Sequence, residues 1–316
     1  MNTEKPLDLI IIGAAAAGCA AAVYSARRNL NFVVVTKDIG GEVALSGIVE
    51  NWLGIESIQG FELAQQFHKH AKAYGVQFDE GRTVEKIVQN ENIHEVHTTL
   101  ASGEMHVYRA KAVIVASGIH PRELTVPGEE MLKNKGVTYC TVCDGPLFKG
   151  KVTATVGAGN AGLESALMMG GIAEKTYLLT KYKESENGGF PKGENILIDK
   201  VKQLKTVEIM YQAETTTILG NTKVTGLTYK DASGKEQTLE VDGVMVHIGM
   251  IPNSQFIDCV NKNKQGEIEV NLRCETNCPG IFAAGDVTNV AYKQIAIAVG
   301  QGVTSALSAI DYINRK

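Results

Sequence analysis

Two cysteines that stand two residues apart give this chain the means for redox or metal chemistry. Cys140 and Cys143 lie in the stretch VTYCTVCDGP, residues 137–146, and the 316 residues hold only six cysteines. A C-x-x-C pair is a redox dithiol, half a zinc site or a coincidence, and each interpretation requires different companions elsewhere. The redox chemistry needs a thiolate, so we expect a helix start or a base beside the pair to lower a thiol pKa.

A zinc site would need four ligands, which the sequence supplies poorly. The other close pair, Cys274 and Cys278 in CETNC, follows Cys143 by about 130 residues. We interpret this second pair as incidental core or loop residues. Cys19 and Cys259 stand among apolar residues and are expected to be packing thiols. The sequence therefore predicts no metal site.

The elements around these cysteines repeat one pattern. LDLIIIGAAAAGCAAAVYSARRNLNFVVVTKD predicts a strand ending at Ile12, a helix through Arg28 and a strand at 32–35. GKVTATVGAGNAGLESALMMGGIAEKTYLLTKY predicts a strand at 151–156, a helix from Asn160 and a further strand, 144 residues later. Two such βαβ units predict two domains, each binding one dinucleotide.

The glycine turns of these units explain how a dinucleotide would bind. Glycine lets the backbone approach the pyrophosphate, which then lies on the amides at the helix start. The first turn, GAAAAG, keeps Gly13 and Gly18 but has Ala15 where backbone and phosphate usually meet, so a methyl group is added there. Tight strand-to-helix packing without a ligand is the alternative for each turn. The second turn, GAGNAG, has every glycine, and its candidate contacts are Gly157, Gly159, Asn160 and Gly162.

Charge and hydropathy exclude several classes of protein. The chain has 31 Lys and Arg against 35 Asp and Glu, so it lacks the basic excess that drives binding to nucleic acid or anionic membranes. No segment approaches the roughly 20 apolar residues that span a bilayer. The apolar run that follows MNTEKP is too short for a secretory signal. We expect a soluble, cytoplasmic protein, in which a C-x-x-C is seldom structural.

The motifs together resemble those of the low-molecular-weight thioredoxin reductases, which are FAD-dependent pyridine nucleotide-disulfide oxidoreductases. The similarity runs nearly end to end, and C-x-x-C-D-G just before the second dinucleotide fold is highly specific to this family. It rests on G-x-x-x-x-G at 13–18, GGEVALSGIVENWLG at 40–54, ASG at 116–118, CTVCDG at 140–145, GAGNAG at 157–162, and GIFAAGD and YKQIAIAVGQG near the end.

The resemblance implies an α/β fold of two Rossmann-like, three-layer domains, the second inserted into the first. Residues 1–115 with 246–316 would form a discontinuous FAD-binding domain, and 116–245 a pyridine-nucleotide domain carrying the cysteines. Members of the family are homodimers in which the inserted domain swings on its two connections. One pose presents the dithiol to the flavin, and the other presents the nicotinamide to the flavin and the dithiol to thioredoxin.

The resemblance also assigns roles to the residues of the motif. Cys143 is the sulfur that faces the flavin, Cys140 attacks the thioredoxin disulfide, and Asp144 returns a proton to the leaving thiolate. The alternative for Asp144 is a cap or turn residue before Gly145.

For FAD, the resemblance implies pyrophosphate contacts at two glycines, a flavin-side amide, a ribityl carboxylate and two flavin-ring contacts. Gly40 and Gly41 match the family's GGQ, but Glu42 replaces its glutamine and exchanges an amide donor for an acceptor-only carboxylate. For Asp286 a simple turn after a strand is the alternative. The resemblance assigns the pyrophosphate contacts to Gly13 and Gly18 and the flavin-side amide to Asn51. It assigns the ribityl carboxylate to Asp286 and the two flavin-ring contacts to Gln294 and Ile295.

The residues that would select the electron donor depart from the family. A typical NADPH-dependent member has a His-Arg-Arg run after the second strand, whereas this chain reads TKYKESENGGFPKGE from Thr180. Lys181, Lys183 and Lys192 supply charge without the planar fork that grips phosphate, and solvated surface lysines are the alternative interpretation. NADPH is the default expectation. Some relatives accept electrons from ferredoxin instead. The presence of the glycine turn GAGNAG in this chain argues against ferredoxin as its donor.

The resemblance thus implies a flavoenzyme that reduces thioredoxin or a thioredoxin-like protein. One rival substrate is a thioredoxin-like module that feeds a peroxiredoxin, expected here on a separate chain. A rival of another class is a flavin-binding redox sensor that does not turn over.

Overall fold

The computed structural model describes residues 5–46, 48–90 and 92–315. They fall into two compact units: unit 1 is the described part of Met1–His120 and Ile251–Lys316, and unit 2 is Pro121–Met250. The first four residues of the N-terminal stretch considered above lie outside the described residues.

The elements of the described chain, in order, alternate strands with helices in both units. They are β1 (Leu7–Ala14), α1 (Ala16–Ala26), β2 (Phe32–Ile39), α2 (Gly41–Leu45), β3 (Ile48–Val49), β4 (Ile58–Gln59), α3 (Gly60–Ala73), β5 (Phe78–Glu80), β6 (Arg82–Val88), β7 (His94–Leu100), β8 (Met105–Val115), β9 (Ile119–Pro121), α4 (Glu129–Leu132), β10 (Val137–Thr138), α5 (Thr141–Asp144), a 3₁₀ turn (Gly145–Phe148), β11 (Val152–Val156), α6 (Asn160–Gly170), β12 (Lys175–Leu179), a second 3₁₀ turn (Asn187–Gly189), α7 (Asn195–Gln203), β13 (Val207–Met210), β14 (Glu214–Gly220), β15 (Val224–Lys230), β16 (Glu236–Leu239), β17 (Gly243–Val246), β18 (Met250–Pro252), β19 (Ile281–Ala283) and α8 (Ile295–Asn314).

Unit 1 is built on a sheet in the order β5-β2-β1-β8-β7-β6, with β19 also paired to β8. Strand β1 is parallel to β2 and β8, whereas β6, β7 and β8 form an antiparallel meander. Residues 9–12 of the central strand β1 are all apolar, as expected for a strand that is buried on both faces. Leu9 and Ile11 pack on the side of α1, α3 and α8, and Ile10 and Ile12 pack on the opposite side.

Unit 2 has a parallel sheet in the order β10-β17-β11-β12-β13 and an antiparallel sheet of β14, β15 and β16. Leu163 and Ala166 of α6 and Ile198 of α7 pack together with Leu178 on one side of the parallel sheet. A second cluster joins that sheet to β14 and β15. The predicted α/β class, with parallel sheets in both units, is confirmed by the structure.

The chain passes between the units twice, and the two passages, β9 and β18, pair with each other. Asn253, just after β18, bonds to the segment just before β9 and so holds the two chain segments of unit 1 together. Its amide nitrogen donates to the carbonyl of Gly118 at 3.0 Å, and its side chain donates to the carbonyl of Ser117 at 2.8 Å. The expected boundaries at 115 and 246 lie about five residues earlier, before these paired segments.

Candidate functional site

A cavity of about 1110 Å³ opens in unit 1 where its parallel strands end. Its walls include residues 12–17 after β1, 35–39 at the end of β2, 116–120 after β8 and 284–286 after β19. Ligands of open α/β sheets bind outside the carboxyl ends of the strands. The volume lies at the upper end of the range for small-molecule sites, as a dinucleotide requires.

The first glycine turn forms one wall of this cavity. Gly13 has φ +104°, and a Cβ on it would approach the carbonyl oxygen of Ala116 to 2.3 Å. A Cβ on Gly18 would lie 1.9 Å from the carbonyl oxygen of Gly13. Helix α1 follows with Ala15 as its N-cap, which offers no side chain to the first amides. Those amides are therefore available to an anion in the cavity.

The start of α8 forms a second wall of the same kind. Gln294 is the N-cap of this helix, and its side chain makes no capping bond. Instead its Oε1 accepts a hydrogen bond from Nδ2 of Asn51 at 3.1 Å. The structure thus brings together three of the expected flavin contacts, Asn51, Gln294 and Ile295, although they come from distant parts of the sequence.

Charged side chains of both signs line the cavity, and among them are the carboxylates Asp38, Glu42 and Asp286 and the ammonium group of Lys293. Burial raises the pKa of Glu42, and the charges of Asp286 and Asp38 raise it further. Burial also raises the pKa of Asp286, and the charge of Lys293 partly offsets that effect. A carboxyl group that keeps its proton is a hydrogen-bond donor. Glu42 was expected to act as an acceptor only, and its surroundings shift its titration toward the protonated form, which can also donate.

The glycines before Glu42 are required by the backbone. Gly40 has φ +97°, and a Cβ there would lie 2.7 Å from the Cβ of Ala64. Gly41 has φ +47° and donates its amide to Oδ1 of Asp38 at 3.2 Å.

Asp38 is a site residue that sequence reasoning missed. It lies at the end of β2, on the cavity wall, and 20 positions after Gly18. An acidic residue about 20 residues beyond the glycine turn commonly holds a ribose 2′-hydroxyl. The spacing from Gly18 is thus the sequence signal that could have found Asp38.

The lining of this cavity fits FAD. The glycine turn and the two uncapped helix starts provide amides for the pyrophosphate, Asp38 provides an acceptor for a ribose hydroxyl, and Glu42 and Gln294 provide polar groups for a ring system.

In unit 2, Cys140 and Cys143 are joined by a disulfide, with their Cα atoms 5.3 Å apart. The sulfur of Cys140 is the N-cap of α5 and accepts a hydrogen bond from the amide of Cys143 at 3.2 Å. Cys140 is half-buried and Cys143 is exposed. The start of α5 thus presents a backbone N–H donor to the Cys140 sulfur.

Asp144 lies at the end of α5 and is held by a threonine before the disulfide. Its Oδ2 accepts a hydrogen bond from the hydroxyl of Thr138 at 2.5 Å, and that hydroxyl accepts one from the amide of Cys140 at 3.1 Å. Both side chains line a cavity of about 90 Å³. Thr138 was missed because nothing in its local sequence marks it as a partner of the carboxylate.

A buried polar cluster lies on the other side of α5. The hydroxyl of Thr141 is 2.6 Å from that of Ser165 in α6 and 2.7 Å from Nε2 of His247, which follows β17. Burial lowers the pKa of His247 to about 4, so its ring is neutral near pH 7. Sequence reasoning singled out none of these three residues.

The second glycine turn packs tightly at two of its three glycines. A Cβ on Gly157 would lie 2.3 Å from the carbonyl oxygen of His247, and one on Gly162 would lie 3.0 Å from the carbonyl carbon of Gly157. At Gly159 a Cβ would meet nothing closer than the side chain of Lys192, at 3.9 Å. This middle glycine therefore leaves open space in front of α6, where a pyrophosphate would approach.

The segment before α7 lies against this turn. Gly159 and Lys192 form a backbone bridge, and Asn160 and Glu194 exchange two hydrogen bonds of 2.8 Å. The side chain of Thr180 is buried, with its hydroxyl donating to the carbonyl of Gly189 at 2.6 Å. Lys181 is exposed, with its ammonium group 5.5 Å from the centre of the Tyr182 ring. Of the expected cations, the structure brings Lys192 to the turn.

The other cysteines lie in unit 1. Burial raises the pKa of Cys19 to about 12 and that of Cys274 to about 11, which keeps both as unreactive thiols. Burial likewise raises the pKa of Cys259 to about 12, with Cys278 beside it. Within residues 5–46, 48–90 and 92–315, no group of three His, Cys, Asp or Glu side chains is placed to hold a metal ion. No helix of those ranges has the length and apolar character needed to cross a membrane.

Comparison with known proteins agrees with this arrangement. The sequence pattern of the pyridine nucleotide-disulphide oxidoreductases matches residues 7–302. The chain belongs to this family. Members of the family use FAD with NAD(P)H.

The relatives that this chain resembles are of two kinds, F subunits of alkyl hydroperoxide reductase and thioredoxin reductases. The F subunit of alkyl hydroperoxide reductase from Escherichia coli (strain K12) is 39% identical over 321 residues, which cover 100% of this chain and 60% of that protein. The chain thus spans about 60% of the length of this relative. Thioredoxin reductase of T. acidophilum is 36% identical, with a TM-score of 0.82 and 99% of both chains covered. That of Lactococcus lactis is 26% identical, with a TM-score of 0.84, 98% of this chain and 100% of that chain covered.

Proposed function

We propose that this oxidoreductase reduces the disulfide of a thioredoxin-like protein, taking electrons from a nicotinamide nucleotide through FAD to Cys140 and Cys143. The observation that carries the proposal is the disulfide at the start of α5, in which the Cys140 sulfur is bonded to the Cys143 amide. FAD, when bound in unit 1, supplies the carrier that accepts two electrons from the nucleotide and passes them to the disulfide.

The dithiol would react with its partner by two exchanges. The Cys140 thiolate attacks one sulfur of the partner disulfide, so a mixed disulfide forms and the partner's other sulfur leaves as a thiolate. Asp144, held by Thr138, is the proposed donor of a proton to that leaving sulfur. The Cys143 thiolate then attacks the Cys140 sulfur, which restores the Cys140–Cys143 disulfide and releases the partner as a dithiol.

The surface beside the disulfide supports a protein as the substrate. Val142, between the two cysteines, is 45% exposed, and Leu147, just after α5, is 69% exposed. Exposed apolar side chains grouped beside a reactive group are typical of a protein-binding surface. The similarity to thioredoxin reductases supports a thioredoxin-like partner.

The similarity to the F subunit of alkyl hydroperoxide reductase supports a second candidate. In that case the dithiol would reduce a thioredoxin-like module that feeds a peroxiredoxin. Both candidates use the same residues and differ only in the partner. We also propose a homodimer in the cytoplasm, where a reducing environment suits a cycling dithiol.

The residues assigned to the two nucleotides are also proposals. For FAD they are Gly13, Gly18, Asp38, Gly40, Gly41, Glu42, Asn51, Asp286, Gln294 and Ile295. For the nicotinamide nucleotide they are Gly157, Gly159, Asn160, Gly162, Thr180, Lys181 and Lys192. Lys192, whose backbone bridges to Gly159 at the turn, is the proposed cation for a phosphate of NADPH.

The substitution Cys143→Ser tests the exchange mechanism. The first exchange should still occur, but this chain has no second thiolate to complete the reduction, and the partner's own freed thiolate reverses the exchange, so no reduced thioredoxin should be released. Turnover should fall by at least 10³-fold while the donor still reduces the flavin. Cys259→Ser, at a half-buried cysteine of unit 1, is the matched control and should keep full turnover. Normal turnover in Cys143→Ser would reject the mechanism.

An anaerobic titration tests the donor and separates the enzyme from a redox sensor. NADPH, NADH and photoreduced ferredoxin are added separately while flavin absorbance is recorded, and we expect NADPH to bleach it. Bleaching by ferredoxin alone would overturn the nucleotide assignment. Oxidised thioredoxin and an isolated peroxiredoxin-linked module are then compared as oxidants. Rapid reoxidation of the flavin by either identifies the partner, whereas a slow stoichiometric response to both would indicate a sensor.

A further inference from the structure

The polar cluster behind the disulfide contains groups that the proposed function does not use. Thr141 and Ser165 are each only 4% exposed, and their hydroxyls are 2.6 Å apart. Nε2 of His247 is 2.7 Å from the Thr141 hydroxyl, and the hydroxyl of Thr155 is 3.3 Å from that of Ser165. A hydroxyl has one donor and two acceptor positions, so Thr141 can bond to both neighbours at once. The cluster is therefore satisfied by its own members.

This cluster joins three elements that meet at the disulfide. Helix α5 has only four residues, Thr141–Asp144, so its own backbone bonds fix it weakly. Ser165 lies in α6, which begins at the second glycine turn, and the carbonyl of His247 lies against Gly157 of that turn. The Thr141 side chain thus attaches α5 to the rigid part of unit 2, at a residue flanked by Cys140.

We propose that His247 and Ser165 are positioning residues, which hold α5 through Thr141 in the geometry that favours the Cys140–Cys143 disulfide over the dithiol. The proposal rests on the proposed function in taking this disulfide as the redox centre. The proposal concerns how readily the disulfide is reduced, and it does not depend on which thioredoxin or other partner the dithiol reacts with.

The direction of the effect follows from chain freedom. The disulfide itself restrains α5, whereas in the dithiol the Thr141 bonds are what keep the two sulfurs close. Loss of those bonds gives freedom mainly to the dithiol, so the equilibrium shifts toward it. One buried hydrogen bond contributes about 1 kcal/mol, which corresponds to roughly a fivefold change in an equilibrium constant.

The test measures the disulfide equilibrium in the FAD-loaded protein. Variants are equilibrated anaerobically in dithiothreitol redox buffers, quenched with acid and alkylated, and the oxidised fraction of the 140–143 pair is read by mass spectrometry. Two thiols of dithiothreitol give two hydrogens and two electrons to the protein disulfide and become a cyclic disulfide. The variants are His247→Ala, His247→Gln, Ser165→Ala and Thr141→Val.

The matched control is Thr176→Val. Thr176 is fully buried and its hydroxyl bonds to that of Thr153 at 3.1 Å, in the same parallel sheet but with no bond to α5. It reports the effect of removing any buried hydroxyl from unit 2. Circular dichroism and flavin content show whether each variant is folded.

We expect the constant for disulfide formation to fall roughly fivefold to tenfold in His247→Ala and Thr141→Val, and less in Ser165→Ala. His247→Gln, which keeps a nitrogen donor, should recover to within about twofold of the unchanged protein, and Thr176→Val should have no effect. Unchanged constants in folded His247→Ala and Thr141→Val, or an equal change in Thr176→Val, would overturn the proposal. Neither result would affect the proposed function, which instead fails if the donor cannot reduce the unchanged disulfide.

Discussion

At the scale of single residues, Glu42 shows how an environment changes what a side chain can do. Its carboxyl group is held in the cavity wall near Asp38 and Asp286, and its pKa is raised by burial first and by those charges second. The unfolded chain therefore releases this proton at a lower pH than the folded chain does. Stability is lost as the pH rises from the ordinary glutamate pKa through the raised one, and the loss persists above it.

We expect Glu42→Gln to raise the melting temperature at pH 7.5 and to have little effect near pH 4, where the carboxyl is protonated in both states. The measurement is thermal unfolding of the FAD-loaded protein at both pH values. Glu56→Gln, at an exposed glutamate of unit 1, is the control and should have no effect at either pH. A gain of equal size at both pH values would show that the carboxyl titrates normally.

Thr125 is a second residue whose surroundings matter more than its type. It precedes α4 with φ +59°, a conformation that L residues with a branched Cβ adopt at a cost of about 1–2 kcal/mol. Its amide donates to Oε2 of the buried Glu129 at 2.6 Å, which holds the backbone in this form.

Thr125→Gly should therefore raise the free energy of unfolding by about 1 kcal/mol, because glycine removes the strain and keeps the amide bond. Thr125→Ala is the matched variant: it also removes the hydroxyl but retains a Cβ, so we expect it to give a smaller gain. Chemical denaturation measures both. Equal effects of the two variants would show that the hydroxyl, and not the backbone conformation, decides the outcome.

The residues that sequence could reveal are those that belong to local motifs. The cysteine pair and each of the two glycine turns occupy one short stretch of sequence, so their spacing marks them as candidates for redox chemistry and dinucleotide binding. His247 and Thr141 are 106 residues apart, and their bond depends on where β17 ends in the folded sheet. Contacts of this type have no signal in one sequence.

At the scale of elements, the two glycine turns differ in their middle position. Ala15 and Gly159 are the N-caps of α1 and α6, and both have extended backbone with negative φ. Gly159 therefore does not need glycine for its own conformation. Its lack of a side chain matters only if a ligand approaches.

We expect Gly159→Ala to fold normally and to keep its FAD, while the KM for the nicotinamide nucleotide rises about tenfold because a methyl group crowds the pyrophosphate, a cost of about 1–3 kcal/mol. The KM and flavin content are measured together. Gly162→Ala is the contrasting variant, since its Cβ would lie 3.0 Å from the backbone of Gly157, and it should lower stability as well. An unchanged KM in Gly159→Ala would mean that the turn does not hold the pyrophosphate.

Element types followed from periodicity, but their ends did not. Helix α1 was predicted to run through Arg28 and ends at Ala26, because Asn29 turns the chain with φ +55°. Strand β2 was predicted to end at Val35 and continues to Ile39, because Thr36 pairs with Glu80 of β5. The polar residues Thr36 and Asp38 made this part of β2 look like a loop in the sequence. They are polar because they line the cavity, which the local sequence pattern does not reveal.

At the scale of the whole molecule, each unit has its own core. Leu163 is fully buried among side chains of unit 2, and Leu63 is 1% exposed in the core of unit 1. The α/β class could be predicted because both cores are built on βαβ repeats. The pairing of β19 with β8 could not be predicted from the strand patterns, because β19 follows the whole of unit 2 in the sequence.

We expect Leu163→Ala to destabilise unit 2 by about 2–5 kcal/mol while the temperature at which flavin is released stays unchanged. Leu63→Ala, the matched variant, should lower the flavin release temperature and leave unit 2 intact. Flavin fluorescence reports unit 1, and limited proteolysis within residues 121–250 reports the opening of unit 2. A common shift of both signals in either variant would show that the units unfold together.

The pairing around Asn253 has a consequence for the history of the chain. Where the chain leaves and re-enters unit 1, its two strands are already hydrogen-bonded, with the Asn253 amide 3.0 Å from the Gly118 carbonyl. A short hairpin turn could close this gap in place of all residues from Pro121 to Met250. Recombination at these two points would therefore exchange unit 2 as a single segment, without rethreading unit 1.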